Sequence, residues 1–473
     1  MRRVYLLIAL LLLVGCSSPG TTEPTVSSPQ PANATPQPAN ATPQPANATP
    51  QPTAATPPLA AETTEPVAGA QGTIAFVYGG NIWGKDLANG TPRPYTTAGG
   101  FSSPSWSPSL RWLLAHRDDG WYLVSTARGT EPTALKPLPP SGLQQVAWSP
   151  VADLLAVGND RTIQTRDLGT LADSPLVSAE PGASLGRFSW SPDGKWIAYE
   201  MRSSAANQPP SSGSLWRVPS AGGTPEPLYQ PKQVGMCMGL AGWTPDSKGV
   251  LFWPMPACSA SILADGAPLM LLPIGEETPV TVSPAMLSHP DFWQISSQGE
   301  LAVAAGGSRT SWAMKGIMVS SGPLREGHTV ALTPKEVNAI SPAWSPDGKL
   351  LAYVGAPATS GSIMGGEEAR QALKGRRLWL SAPNGSGSRA LTNDPLYRDE
   401  SPVWTGDGTH ILFARLTEAN EASLWVIDVR EKEPKLVKVA TIDPVESGPS
   451  GWFGFYGWLG WSTRFAYTAR PGN

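Results

Sequence analysis

Phe188–Tyr199 reads FSWSPDGKWIAY, and Ser341–Tyr353 reads SPAWSPDGKLLAY. In both, a short run ends in tryptophan, Ser-Pro-Asp-Gly follows, and a second apolar run begins at once. Proline presets φ, aspartate bonds back to the backbone and glycine accepts positive φ, so these four residues make a tight turn. Short β-type runs on either side of such a turn predict an antiparallel hairpin. The aspartates at this position, Asp193, Asp246, Asp347 and Asp407, are expected to hold turns rather than to bind metal or catalyse.

The unit recurs along the chain. SPSWSPSLRWLLAH carries Trp106, VAWSPVADLLAV Trp148, AGWTPDSKGVLFW Trp243 and SPVWTGDGTHILFA Trp404. A weaker copy, ISSQGELAV, has Ile295 in the tryptophan position, and GWLGWSTRFAY offers Trp458 or Trp461. With Trp458 as the last anchor the copies lie 42 to 60 residues apart, close to the period of four-stranded propeller blades. That length suffices for four strands of five or six residues plus turns. After several copies a third strand carries its own tryptophan, as in SLWRVPSAGGTPEPLY, RRLWLSAPNGSGSRALT and SLWVIDVREKEPKLVKVA. Core packing at these two positions per blade accounts for most of the 19 tryptophans better than a carbohydrate- or base-stacking surface does.

The expected fold is therefore all-β, a single β-propeller over residues 72–473, although a stretch of that length would ordinarily suggest two or more domains. The N-terminal TIAFVYGGNIWGKDLANGTPRPYTT supplies later strands of a blade, and the C-terminal GWLGWSTRFAYTA supplies a first strand. Pairing the two ends would remove an exposed sheet edge. Eight blades follow. Because Thr73–Val77 and Arg464–Thr468 both look like second strands, seven blades plus an accessory strand is the alternative.

The W-S-P-D-G-K-x-h-A-Y units, each followed by h-W-x-x-x-x-x-G, resemble the WD-like propeller repeats of the TolB family over most of residues 72–473. The resemblance implies a fold and no particular activity. In TolB the propeller follows a small α/β domain that this chain lacks, so the Tol–Pal role is not carried over.

The first fifteen residues, MRRVYLLIALLLLVG, have a basic start, an apolar run too short for a bilayer and a small residue at Gly15, the layout of a secretory signal peptide. Leu13-Val14-Gly15-Cys16 resembles the bacterial lipobox, which implies cleavage before Cys16 and lipid on its thiol. Residues 16–71 are rich in Pro, Thr and Ala, with PQPANAT three times between Pro29 and Thr49, and are expected to be a disordered tether. Asn33, Asn40 and Asn47 stand in N-A-T sequons, candidates for glycosylation. The expected location is extracytoplasmic, membrane-anchored by lipid, and the expected state is a monomer.

Thirty-four basic against 37 acidic residues leave a net charge of −3 with no basic block after the signal, so nucleic acid is excluded as a partner on electrostatic grounds. Beyond Cys16 there are two cysteines, Cys237 and Cys258, an even pair for an oxidising compartment. If Trp243 faces Phe252 across the hairpin, Cys237 faces Cys258 and a disulfide is expected. The sequence has no phosphate loop or metal-spaced histidines, and no catalytic, cofactor or metal site is assigned.

Connections between second and third strands are long at Met201–Ser214, Pro254–Ala267, Gly355–Arg376 and Arg415–Ser423, and fall on one face, where loops on a rigid scaffold commonly carry recognition. The alternative is that they are tolerated insertions. Within GGEEARQALKGRR a short helix is expected, with Glu367 and Glu368 early and Arg370, Gln371 and Lys374 later, as the helix dipole favours; these five residues are the candidate partner-binding element. Two function classes remain. One is a non-catalytic envelope module that binds a protein or a cell-wall polymer; the other is an enzyme or small-ligand sensor with its site at the channel mouth.

Overall fold

The Ser-Pro-Asp-Gly turns close as their chemistry requires. Ser191 Oγ donates to Asp193 Oδ1 at 2.6 Å, the same oxygen accepts the Lys195 N–H at 3.1 Å, and Gly194 takes φ +72°. Asp246 and Asp347 repeat the pattern with Thr244 and Ser345. In two copies a non-glycine residue occupies the left-handed position, Leu110 at φ 61° and Ser247 at φ 62°.

The computed structural model describes residues 65–127, 133–134, 145–170, 172–203, 212–259, 266–306, 315–320, 322, 324, 329–358, 367–445 and 458–469. Its fold is nearly all β. The signal segment, Cys16, the tether and its sequons lie outside the described residues, and no described helix is long and apolar enough to cross a membrane.

Strands β1 (Thr73–Tyr78), β2 (Asn81–Asp86) and β3 (Arg93–Pro94) open the chain. Three four-stranded antiparallel sheets follow: β4 (Ser102–Trp106) to β7 (Thr133–Ala134), β8 (Gln145–Trp148) to β11 (Asp173–Ser178), and β12 (Ala183–Trp190) to β15 (Glu226–Tyr229). An eight-stranded sheet runs from β16 (Met236–Trp243) through β17 (Gly249–Pro256), β18 (Ala267–Pro273), β19 (Val280–Met286), β20 (Trp293–Ile295), β21 (Leu301–Ala305) and β22 (Gly316–Ser320) to β23 (Thr329–Ala331). Two more four-stranded sheets are β24 (Val337–Trp344) to β27 (Arg389–Ala390) and β28 (Tyr397–Trp404) to β31 (Leu436–Ile442). The last strand, β32 (Phe465–Thr468), returns to pair with β1, Phe465 opposite Phe76 and Thr468 opposite Thr73. The ends of the described chain thus share one sheet, in the order β3-β2-β1-β32.

That closure corrects one expectation. Arg464–Thr468 does not act as a second strand: Phe465–Thr468 fills the first-strand place of the opening sheet, while Trp461–Thr463 is a 3-10 turn just before it. The described residues form seven sheets, and the eight-stranded one is two four-stranded meanders joined where Met286 pairs with Ala305.

The repeat tryptophans bridge neighbouring units. Trp148 Nε1 donates to the Ser105 carbonyl at 3.0 Å, Trp190 to Ala147 at 3.3 Å, Trp243 to Ser189 at 3.1 Å, Trp344 to Gln294 at 3.3 Å and Trp404 to Ala343 at 2.9 Å. In each case the acceptor is the residue just before the anchor of the preceding unit. Ile295, which stands in the tryptophan position, cannot donate, and at that junction the two meanders are joined by strand pairing instead.

First strands are interrupted by bulges. Pairing shifts between Ser102 and Ser105, between Ile340 and Ala343 and between Glu400 and Val403, and the skipped Ser103, Ser341 and Ser401 sit at φ 54°, 53° and 51°, each before a proline. The expected hairpin register is overturned: Trp243 faces Val250 rather than Phe252, a difference of two residues already present at the turn, and a bulge at Ala241 adds one more, so that Cys237 faces Met255. The cysteines are nevertheless joined, with Cα atoms 4.7 Å apart. The route is a turn past the strand end, in which Cys258 N–H donates to the Met255 carbonyl at 3.1 Å and Ala257 and Cys258 take φ 54° and 50°. The outermost strands β3, β11 and β15 carry exposed Pro94, Pro175 and Pro227, which remove backbone donors from sheet edges.

Candidate functional site

Successive first strands lie against one another, and there β20, β24 and β28 meet the segment Trp458–Trp461 around a cavity of about 350 Å³. Such a volume is at the lower end of small-ligand sites, which are mostly apolar with a few placed polar groups. The apolar wall is aromatic and proline-rich: Trp293, Trp344, Trp404, Trp458, Pro342 and Pro402. Trp344 and Trp404 have their indole N–H groups committed to the neighbouring unit, so the fold positions them before any ligand arrives.

One side of the cavity rests on a buried charge cluster. Glu400 Oε1 accepts from Arg376 Nη1 at 2.8 Å and from Arg398 Nε, and its Oε2 accepts the Trp461 indole N–H at 3.0 Å. Burial alone would raise the Glu400 carboxyl, but Arg398 and Arg376 outweigh it and hold it below the usual glutamate range. Burial lowers Arg376 to about 10, against the opposing pull of Glu400. Beside it, buried Asp399 accepts from Arg415 Nε at 2.8 Å, and burial raises its carboxyl in spite of that partner.

The opposite rim is built from the 3-10 turn Pro290–Phe292. Its cap, His289, accepts the Asp291 backbone N–H on Nδ1 at 3.2 Å, and its ring lies 4.2 Å from that of Trp458. Trp458 Nε1 donates to Asp291 Oδ2 at 2.8 Å. Burial lowers the His289 pKa, Asp291 opposes the shift and Arg187 reinforces it, so the ring is neutral near pH 7. Among the described residues no group of three or more His, Cys, Asp or Glu side chains is placed to hold a metal ion.

A larger cavity, about 690 Å³, lies between the β15–β16 connection and β16–β18, walled by Tyr229, Met236, Met238, Phe252 and Met270. Gln230, Lys232, Gln233, Glu277 and Thr278 also line it, and it adjoins the disulfide-bearing strand. The cavity between the first strands is the better candidate, because residues from four separate stretches of chain converge on it and its tryptophans are held by hydrogen bonds to neighbouring units.

The candidate partner-binding helix exists as α1 (Glu367–Lys374). Gln371 is exposed and Lys374 pairs with Glu418 at 2.5 Å, while the side chains of Glu367, Glu368 and Arg370 lie outside the described residues. The segment is not a detachable insertion: Leu373 is buried in the core, and Arg376 just after it belongs to the Glu400 cluster. Sequence reasoning missed that cluster. Its signal was Arg398-Asp399-Glu400, three charges inside a strand otherwise expected to be apolar, and all three are buried. His289 and Asp291 carried no motif.

No family model matches this chain, and no curated protein matches it. Among solved structures, dipeptidyl peptidase 4 of Porphyromonas gingivalis is similar, with a TM-score of 0.56 and 11% identity over 81% of this chain and 60% of that one. At that identity the likeness concerns the fold alone and supports a propeller-type architecture. This chain spans about 60% of that protein's length.

Proposed function

We propose that this chain is a non-catalytic lipoprotein of the cell envelope, anchored through Cys16, whose TolB-like propeller of eight blades binds a protein or a cell-wall polymer. The observation that carries the reading is the cavity between the first strands: preset tryptophans and prolines with a few hydrogen-bonding groups at the rim, the make-up of a recognition site. Its buried carboxylate, Glu400, is already held by two arginines and an indole and serves the scaffold.

A second reading is an enzyme or small-ligand sensor with its site at the channel. The neutral His289 beside Asp291 is the observation in its favour.

The test uses the full chain produced in its native envelope. Chemical crosslinking on intact cells, followed by recovery through a C-terminal tag, should capture an envelope protein or cell-wall fragment in the wild type. Cys16→Ser should shift the protein out of the membrane fraction or leave its signal uncleaved. Turnover of a small peptide or ester substrate that disappears in His289→Ala would overturn the reading in favour of an enzyme, and an unmodified soluble mature N-terminus would overturn the anchoring.

A further inference from the structure

Ser341 and Ser401 are polar residues held in an unfavourable backbone conformation at the cavity wall, with φ 53° and 51° immediately before Pro342 and Pro402. A residue before proline is normally pushed to extended conformations, and left-handed serine is strained. The same conformation recurs at Ser103, which does not line the cavity, so it belongs to the first-strand bulge of the repeat, and in two of the units that bulge sets a serine on the cavity wall. Both serines are part-exposed, and neither hydroxyl has a hydrogen-bond partner among the described residues. The same cavity is lined by exposed Asp291 and exposed Gln294, whose Oε1 accepts the Trp344 backbone N–H at 2.5 Å and so leaves its amide N–H groups available. Trp458 is half-buried, lines the same cavity and has its N–H pinned to Asp291, which fixes the plane of its ring.

Resting on the binding-module reading, we infer that this cavity is a saccharide subsite that takes one or two pyranose rings of a neutral cell-wall glycan. A pyranose has an apolar C–H face, which suits the electron-rich face of an indole such as that of Trp458. Its hydroxyls both donate and accept, so they match an acceptor-only carboxylate at Asp291, an amide donor at Gln294 and the two serine hydroxyls. A proline-rich peptide fits the aromatic wall equally well but lacks backbone donors at its prolines, and would leave the two serine hydroxyls, and the Asp291 oxygen not held by Trp458, desolvated with fewer partners.

Isothermal titration of the full mature chain with two probes, a β-1,4-linked N-acetylglucosamine tetrasaccharide and cellotetraose, tests this, with quenching of tryptophan fluorescence as a second readout. Binding of at least one is expected. Trp458→Ala should weaken it by at least roughly tenfold, and Asp291→Asn or Ser401→Ala by roughly three- to tenfold, with melting temperatures close to wild type. Absence of binding to both sugars, or undiminished binding by Trp458→Ala, overturns the subsite. So does tight binding of a synthetic PQPANAT peptide in place of the sugars. Crosslinked capture of an envelope partner that survives Trp458→Ala would sink the subsite alone and leave the binding module standing; loss of capture in the wild type would sink the module reading itself.

Discussion

Glu400→Gln removes one charge from a site where the shape can be kept. The amide can still accept the Trp461 indole N–H, but Arg376 and Arg398 lose the anion they share. Their side chains are 6% and 0% exposed, and that of Glu400 is 4% exposed, so solvent cannot replace it. Breaking a buried ion pair by removing one partner costs about 3–5 kcal/mol. Unfolding entropy near 2.1 cal/mol/K per residue over about 400 residues converts this into a fall in Tm of about 4–6 °C. Differential scanning calorimetry of wild type and variant at neutral pH measures it. The triple replacement Arg376→Met, Arg398→Met and Glu400→Met should recover most of the loss, because apolar packing of similar volume commonly equals a buried ion cluster. The sign with pH follows from the depressed Glu400 pKa: its contribution is present above the ordinary glutamate range and is lost as pH falls through the folded value. An unchanged Tm in Glu400→Gln would refute the premise that this carboxylate neutralises both arginines.

Trp404→Phe keeps most of the apolar contact but leaves the Ala343 carbonyl without its indole donor, so a loss of about 1–3 kcal/mol is expected by denaturant titration; a neutral result would mean that water or a backbone shift replaces the bond. Replacing Cys237 and Cys258 by serine should cost about 3 kcal/mol for a loop of this length, and non-reducing peptide mapping of the wild type should recover the two cysteines in one linked pair. Asp407 is pulled down to about 2 against the cost of its burial, by Thr409, the Gln71 N–H and His410. Its stabilisation is therefore present above the ordinary aspartate range and lost as pH falls toward 2, and Asp407→Asn should flatten that acid limb of a Tm-against-pH curve; an unaltered curve would argue that the clasp on Gln71 does not respond to charge.

Much of the fold is legible because its signals are local. Each Ser-Pro-Asp-Gly turn is specified by its own φ preferences and its own aspartate, and the spacing of the anchors follows from the length of four short strands. The odd one out, Ile295, is visible as a missing tryptophan. What the sequence alone could not determine depends on the sum over long distances. An apolar four-residue strand such as Phe465–Thr468 reads the same whether it is first or second in a sheet, and only pairing with β1 assigns its place. Trp243 pairs with Val250 rather than Phe252 at the turn itself and a one-residue bulge at Ala241 moves the partners beyond it once more, so the register argument for the disulfide failed while a left-handed turn at Ala257–Cys258 still brought the sulfurs together. The candidate site is assembled from residues as far apart as Asp291 and Trp458, and the Glu400 cluster from residues 376 to 461. No local pattern encodes those meetings, because it is ring closure of the repeated units that turns their first strands toward a common axis.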